Sequence, residues 1–145
     1  MIVELAEYER AREKVVGTPE LLTKALFGPE PMAEAVIAEV SDEPVGFALF
    51  YTTFSTWQCL PGVWLEDLFV RPTRRRGGVG RALLSHVARV AVERACGRLE
   101  WAALDWNTPA LEFYEGLGAH TLGEWKLHRL DGAALERVAE PTEPE

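Results

Sequence analysis

The stretch Val70-Arg71-Pro72-Thr73-Arg74-Arg75-Arg76-Gly77-Gly78-Val79-Gly80 decides how this chain folds. Before it runs Trp64-Leu65-Glu66-Asp67-Leu68-Phe69-Val70, mostly apolar and aromatic, which reads as a strand. After it, Val79, Leu83, Val87 and Ala91 recur every four positions, with Leu84 and Val90 beside them. That spacing is one apolar helical face, and it predicts a helix over 79–96. Glycines between a strand and a helix let the backbone turn sharply and approach a ligand closely. The N–H groups and dipole of the following helix attract an anion. Arg71, Arg74, Arg75, Arg76 and Arg81 crowd into the same stretch. The pattern predicts a pyrophosphate site, against the plainer alternative of a solvated arginine loop. It is neither common nucleotide loop, because no Gly-Lys-Ser/Thr follows and Gly-x-Gly-x-x-Gly is absent.

Working outward, residues 1–16 read as a helix interrupted at Gly17. Thr18-Pro19-Glu20 opens a second helix, a capping residue followed by Pro at the first helical position, which runs to about Phe27. Residues 35–40 and 45–54 are two strands of a hairpin around a turn at 41–44. A Pro61-Gly62 turn is expected before the strand at 64–70. Residues 99–104 form another strand, and Asn107-Thr108-Pro109 starts a helix ending at Gly116 or Gly118. Residues 121–130 hold one or two final strands, and Asp131 caps a short helix to about Val138. Strands alternating with helices in the second half imply a layered α/β or α+β fold. The Glu140-Pro141-Thr142-Glu143-Pro144-Glu145 end reads as a disordered acidic tail.

The 145 residues suit one domain, and an apolar fraction of 48% with 26% charged residues is a globular composition. The net charge of −8 disfavours nucleic acid and anionic membranes and attracts cationic ligands. Cys59 and Cys96 lack metal-ligand spacing and read as buried, reduced thiols. His86, His120 and His128 are scattered, so no metal is expected. No apolar run approaches the ~20 residues of a membrane span, and no signal sequence opens the chain. The expected location is the cytoplasm.

Arg75-x-x-Gly78-x-Gly80 resembles the Q/R-x-x-G-x-G/A signature of the GNAT acetyltransferase superfamily. Gly46-Phe47-Ala48, Leu65-Glu66-Asp67-Leu68-Phe69-Val70, Asn107-x-Pro109 and Phe113-Tyr114-x-x-x-Gly118-Ala119 fall in that family's order and spacing. The set is most similar to the diamine (spermidine/spermine) acetyltransferases and their thialysine acetyltransferase relatives, over nearly the whole chain. The resemblance implies an α+β fold in α/β/α layers, with a mixed, mostly antiparallel sheet and helices on both faces. It implies an acetyltransferase domain over residues 1–139, the tail being 140–145. It implies acetyl-CoA as co-substrate, a direct attack by the primary amine of a small cationic molecule, and a homodimer.

Carried over position by position, the resemblance gives the backbone of Leu68, Phe69 and Val70 to the pantetheine arm. It gives the loop from Arg75 and Arg76 through Gly77, Gly78, Val79 and Gly80 to Arg81 to the pyrophosphate. Asn107, with Pro109 and Ala110 after it, falls near the thioester, although an asparagine there is also a favoured helix cap. Tyr114 corresponds to the general acid. A phenol with a reference pKa of about 10 is protonated at neutral pH and suits that role. Glu66 corresponds to the acidic residue near the acceptor amine, able to take its proton through a water. Side chains alternate along a strand, so only one of Glu66 and Asp67 is expected to face the cleft with a given neighbour. Tyr8, Glu9, Trp57, Asp67 and Glu124 correspond to contacts with the acceptor.

Three departures from the resembled pattern stand out. The family opens with a β-strand, whereas here Met1 already lies in the first helical stretch; its absence would leave the first hairpin strand as an open edge. Ser55 stands where the diamine enzymes have an acid, and the segment between Ala119 and Trp125 is shorter. The acceptor pocket therefore differs from a long-polyamine site. A non-catalytic acetyl-CoA-binding domain is the alternative class, but it would be expected to lose Tyr114 or Glu66, and both are present. Acetylation of a protein or peptide amine is the other.

Overall fold

The computed structural model describes residues 1–141. Two compact units emerge, Met1–Ala102 and a second beginning at Ala103.

In the first unit, α1 (Ile2–Tyr8) is followed by a 3₁₀ turn at Arg12–Lys14, and α2 spans Pro19–Phe27. The first helix is thus shorter than the expected 1–16, since Arg10 turns the chain out with φ 58°. At α2 the expected cap forms: Thr18 Oγ1 accepts from the Leu21 N–H at 3.3 Å, and Pro19 takes the first position. The sheet runs β1 (Glu34–Val40), β2 (Glu43–Ser55), β3 (Leu60–Val70) and β4 (Leu99–Glu100), in that spatial order. The first two pairings are antiparallel and the third is parallel. This is the mixed, mostly antiparallel sheet the sequence implied, with β1 on its outer edge. Ser41 and Asp42, with φ 53° and 62°, make the two-residue turn between β1 and β2.

Pro61-Gly62 is not the expected turn. Both lie inside β3, and the chain reverses at residues 56–59. The Pro61 carbonyl accepts from the Gly97 N–H at 2.8 Å, a long-range contact that holds the strand start straight. α3 (Val79–Glu93) packs across β1, β2 and β3. Leu83, Leu84, Val87 and Ala91 meet Val45, Ala48, Phe50, Val63 and Leu65 in one buried core, as the spacing of four predicted. Arg94 closes the far end, forking onto both Glu34 carboxylate oxygens at 2.6 and 2.7 Å.

The second unit holds α4 (Thr108–Glu115) and α5 (Gly132–Ala139). Residues 121–130 alternate like a strand but form none among the described residues, and all of them are exposed. Alternation needs a ladder partner to become a strand, and none pairs with this segment. Residues 101–104 likewise drop out of the expected fourth strand, which is confined to Leu99–Glu100. The acidic tail at 142–145 lies outside the described residues.

Gly46 sits where β2, β3 and α3 converge. A Cβ there would lie 2.6 Å from the Phe69 carbonyl oxygen and 3.3 Å from Leu83 Cδ1. The Gly46→Ala variant is expected to lose about 1–3 kcal/mol of stability as the strands are pushed apart. A urea titration showing an unchanged midpoint would contradict this packing.

Candidate functional site

The register between β2 and β3 slips at one point. Leu49 pairs with Asp67 and Phe50 with Leu65, so Glu66 is an extra residue in a β-bulge. Leu49 and Phe50 are consecutive and face opposite sides. Asp67 therefore lies on the face opposite Leu65, although two positions apart in a regular strand would share a face. Glu66 turns to the Asp67 side as well. Its Oε2 accepts from Trp64 Nε1 at 2.9 Å, and Trp64 pairs with Tyr51 on that face.

The expectation that only one of the two carboxylates can face a given neighbour is thus overturned by the bulge. Glu66 is exposed; Asp67 is half-buried. Desolvation, then the charges of Glu66 and Glu9, push the Asp67 carboxyl up to about 6. Partial burial raises Glu9 in the same direction. Burial, reinforced by Glu66, raises the Tyr51 phenol. Tyr51 also lines an open cavity of about 680 Å³ together with Leu26, Phe27, Met32 and Ala35.

Beyond Trp64, β3 has no partner strand on its β4 side, because the parallel pairing covers only Val63 with Leu99 and Trp64 with Glu100. Leu68, Phe69 and Val70 therefore keep one backbone edge outside the described ladders. From Val70 the chain makes a 3₁₀ turn at Pro72–Arg74 and enters α3 at Gly78. Gly78 has φ 82°, the left-handed region, and a Cβ there would meet nothing within 4 Å. Glycine is needed there for the backbone turn, not for room against a neighbour. Arg76 takes φ 64° without being glycine, a strained conformation. Having glycine at its N-cap, α3 receives no side-chain cap, so the amides of its first turn face outward uncapped.

The arginines divide by partner. Arg71 donates to Glu4 Oε1 at 3.1 Å and to the Pro44 carbonyl at 2.9 Å. Arg74 pairs with Glu43 at 2.9 Å. Arg75 donates from Nε to the Val70 carbonyl at 3.0 Å, with its guanidinium 4.4 Å from the centroid of the Tyr8 ring. Arg76 and Arg81 are exposed and make no hydrogen bond or ion pair among the described residues. An uncapped helix start with two spare guanidinium groups has the donor chemistry that a pyrophosphate needs.

Trp57 does not join the carboxylates. It sits in the turn between β2 and β3, 85% exposed, and Asp67 lies seven residues up the strand from Leu60, about 23 Å at 3.3 Å per residue. In the second unit, Asn107 holds the N-cap position of α4, and its side chain does not cap the helix. Pro109 and Ala110 fill the first turn. Tyr114 is half-buried on α4, its ring 5.3 Å from that of Phe113. Glu124 is exposed in the turn that follows. The signal missed in the sequence is the bulge, which only the pairing with β2 reveals.

The sequence profile of the acetyltransferase (GNAT) family matches residues 4–119. A thialysine N-epsilon-acetyltransferase from Bos taurus is 36% identical over 150 residues, covering 96% of this chain and 88% of that protein. One from Caenorhabditis elegans is 39% identical, covering 97% and 88%. Among solved structures, an integron cassette protein from the mobile metagenome of V. cholerae superposes with a TM-score of 0.79 at 27% identity, over 96% of this chain and 87% of that one.

The raised Asp67 carboxyl sets a pH dependence. Its folded value, about 6, lies above its ordinary 3.8, so the folded state binds the proton more tightly than the unfolded chain. The destabilising contribution is absent below about pH 4, grows between 4 and 6, and is complete above. The Asp67→Asn variant is expected to melt higher than the parent near pH 7.5, with the gap closing towards pH 4. A gap independent of pH would show that packing, not charge, separates the two.

Proposed function

This chain belongs to the acetyltransferase (GNAT) family, and on that premise we propose that it moves the acetyl group of acetyl-CoA onto the primary amine of a small cationic lysine analogue such as thialysine. The observation that carries the acceptor assignment is the bulge at Glu66, which puts two carboxylates on one face beside Tyr51. An ammonium there would offset the desolvation and like-charge crowding that raise the Asp67 carboxyl. Thialysine is the acceptor named for both acetyltransferase relatives. Ser55, buried at the hairpin end of β2 opposite Leu60, lies away from the carboxylates and does not shape their site as the sequence suggested.

Acetyl-CoA, when bound, supplies a thioester carbonyl open to attack by an amine. The residues of this chain do the rest. The β4-side backbone edge of Leu68 and Phe69 would align the pantetheine amides, the adjoining Val70 carbonyl being held by Arg75 Nε. The amides from Gly77 to Arg81 hold the pyrophosphate, with the Arg76 and Arg81 side chains adding charge. Glu66 takes a proton from the acceptor ammonium, freeing the nitrogen lone pair for direct attack. Asp67 and Glu9 hold the remaining positive charge. As the thioester C–S bond breaks, Tyr114 of the second unit would give its phenolic proton to the departing sulfur. The second proton, shed by the newly acylated nitrogen, would return to the phenolate through solvent. Asn107 would be a hydrogen-bonding group toward the thioester. Glu124 is a further contact for the acceptor's distal charge.

The test is release of CoA thiol from acetyl-CoA across thialysine, lysine, ornithine, putrescine and a lysine peptide. Thialysine is expected to give the highest kcat/KM, and Tyr114→Phe to lower kcat by about 10²-fold with little change in the KM for acetyl-CoA. Preference for the peptide would move the acceptor to protein amines. CoA binding without release for any amine would leave a non-catalytic domain.

We propose also that the protein works in the cytoplasm as a homodimer. Cys59 is exposed and Cys96 half-buried, not both buried as the sequence suggested, and two free thiols suit a reducing compartment. No helix among the described residues is long and apolar enough to cross a membrane. Phe54, Trp57 and Leu60, at 63%, 85% and 41% exposure, crowd one hairpin turn and call for cover. Sedimentation is expected to give twice the chain mass for the parent and the single mass for Phe54→Ser/Trp57→Ser. A monomeric parent would reject the dimer.

A further inference from the structure

We infer that Tyr8 and Arg75 are a positioning pair: Arg75 serves the donor by fixing its loop, not by touching phosphate, and Tyr8 acts through Arg75, not on the acceptor. The inference rests on the assignment of acetyl-CoA to the loop. The guanidinium of Arg75 is engaged on two sides. Its Nε bonds the Val70 carbonyl at 3.0 Å, closing residues 70–75 into a ring, and its carbon lies 4.4 Å from the centroid of the Tyr8 ring. A planar cation so stacked is directed at the ring. Arg76 and Arg81, which make no such contacts, are the side chains left for phosphate.

Helix α1 shows why the loop needs the pair. Its seven residues include none that is fully buried, Ile2, Leu5 and Ala6 being only half-buried, so polar contacts weigh more in fixing it. Glu4 and Tyr8 stand four apart and share one face of α1. Arg71 and Arg75, also four apart, meet them one to one, Arg71 on Glu4 at 3.1 Å and Arg75 on Tyr8. Two arginines of the donor loop thus fasten the helix that ends at Glu9. Loosening the second contact disturbs the loop first, and the placement of Glu9 beside Tyr8 only through it.

The experiment is a set of five full-length variants: Tyr8→Phe, Tyr8→Leu, Arg75→Lys, Arg75→Gln and Tyr8→Leu/Arg75→Gln. CoA affinity is read by calorimetry, and both KM values by thiol release with thialysine. Tyr8→Leu is expected to weaken CoA binding about three- to fivefold, the scale of an exposed cation–π contact. Tyr8→Phe, which keeps the ring, should recover most of that loss. Arg75→Lys should behave like Arg75→Gln, because a point charge loses the planar stack. The double variant should be no weaker than Arg75→Gln alone, the non-additivity of two groups in one contact.

Two results overturn the inference. In one, Tyr8→Phe raises the acceptor KM and leaves CoA binding alone, making the hydroxyl an acceptor contact. In the other, Arg75→Lys keeps full affinity while Arg75→Gln loses it with additive effects, making Arg75 a phosphate ligand. A parent that binds no CoA overturns the donor assignment instead, and the same double-variant cycle, read on thermal stability, still judges the pair: no coupling there refutes it.

Discussion

The site depends on one irregularity, the extra residue that Glu66 contributes to β3 opposite Leu49. Before the bulge, Val63 and Leu65 face α3 and fill the core. After it the alternation is inverted, so Asp67 leaves the core side and Phe69 follows it, packing 6.2 Å from Phe47 between ring centroids. A regular strand would have put the Asp67 carboxylate beneath α3, among the buried apolar side chains of the core. The bulge instead holds two carboxylates on the face opposite α3, beside the buried Phe47 and Phe69, while the apolar residues on either side stay in register with β2. The remaining cost is visible in the raised Asp67 carboxyl, a group left poorly solvated next to two like charges. Such a cost persists where a positive ligand can relieve it.

The positive charge of the molecule is handled in the opposite way. In a chain of net charge −8, Arg71, Arg74 and Arg75 are spent on anchoring their loop to Glu4, Glu43, the Val70 carbonyl and Tyr8. These contacts are exposed, so each adds little to stability. Their value lies in geometry: they fix where the Gly77-Gly78 turn delivers the first amides of α3. Arg76, strained at φ 64°, is held in place by these neighbours and keeps its side chain outward.

Local signals in the sequence were strong enough to read α2 from Thr18 and Pro19, α3 from its apolar spacing, the β1–β2 hairpin and the glycine loop. Each is decided by residues a few positions apart. What escaped were the features decided by distant partners. Pro61-Gly62 carries turn residues, yet the Gly97 N–H and the neighbouring β4 hold it as strand. Residues 121–130 carry strand alternation and find no ladder among the described residues. The bulge has no local mark at all, since Leu65-Glu66-Asp67-Leu68 reads equally well in either register. Among the candidate residues, Tyr114, Glu66 and Asn107 could be singled out by chemistry and resemblance, whereas the engagement of Arg75 with Tyr8 joins positions 67 apart and is a product of the fold.

The same strand separates two opposed electrostatic demands. An acetyl donor with a pyrophosphate needs cations, and an ammonium acceptor needs anions; placed together, the protein's own groups would neutralise one another. From Asp67 to Arg71 the backbone advances four residues, about 13 Å in extended form. That exceeds the screening length of about 8 Å at physiological ionic strength, so through solvent the attraction between the two ends of this strand segment is weakened. The intervening Leu68, Phe69 and Val70 carry no charge, and among the described residues none of them pairs with a strand on the β4 side. A strand of this length therefore keeps the acid and base ends distinct and offers, between them, uncharged amide groups to align the arm that must connect a phosphate-bound donor to an amine-bound acceptor.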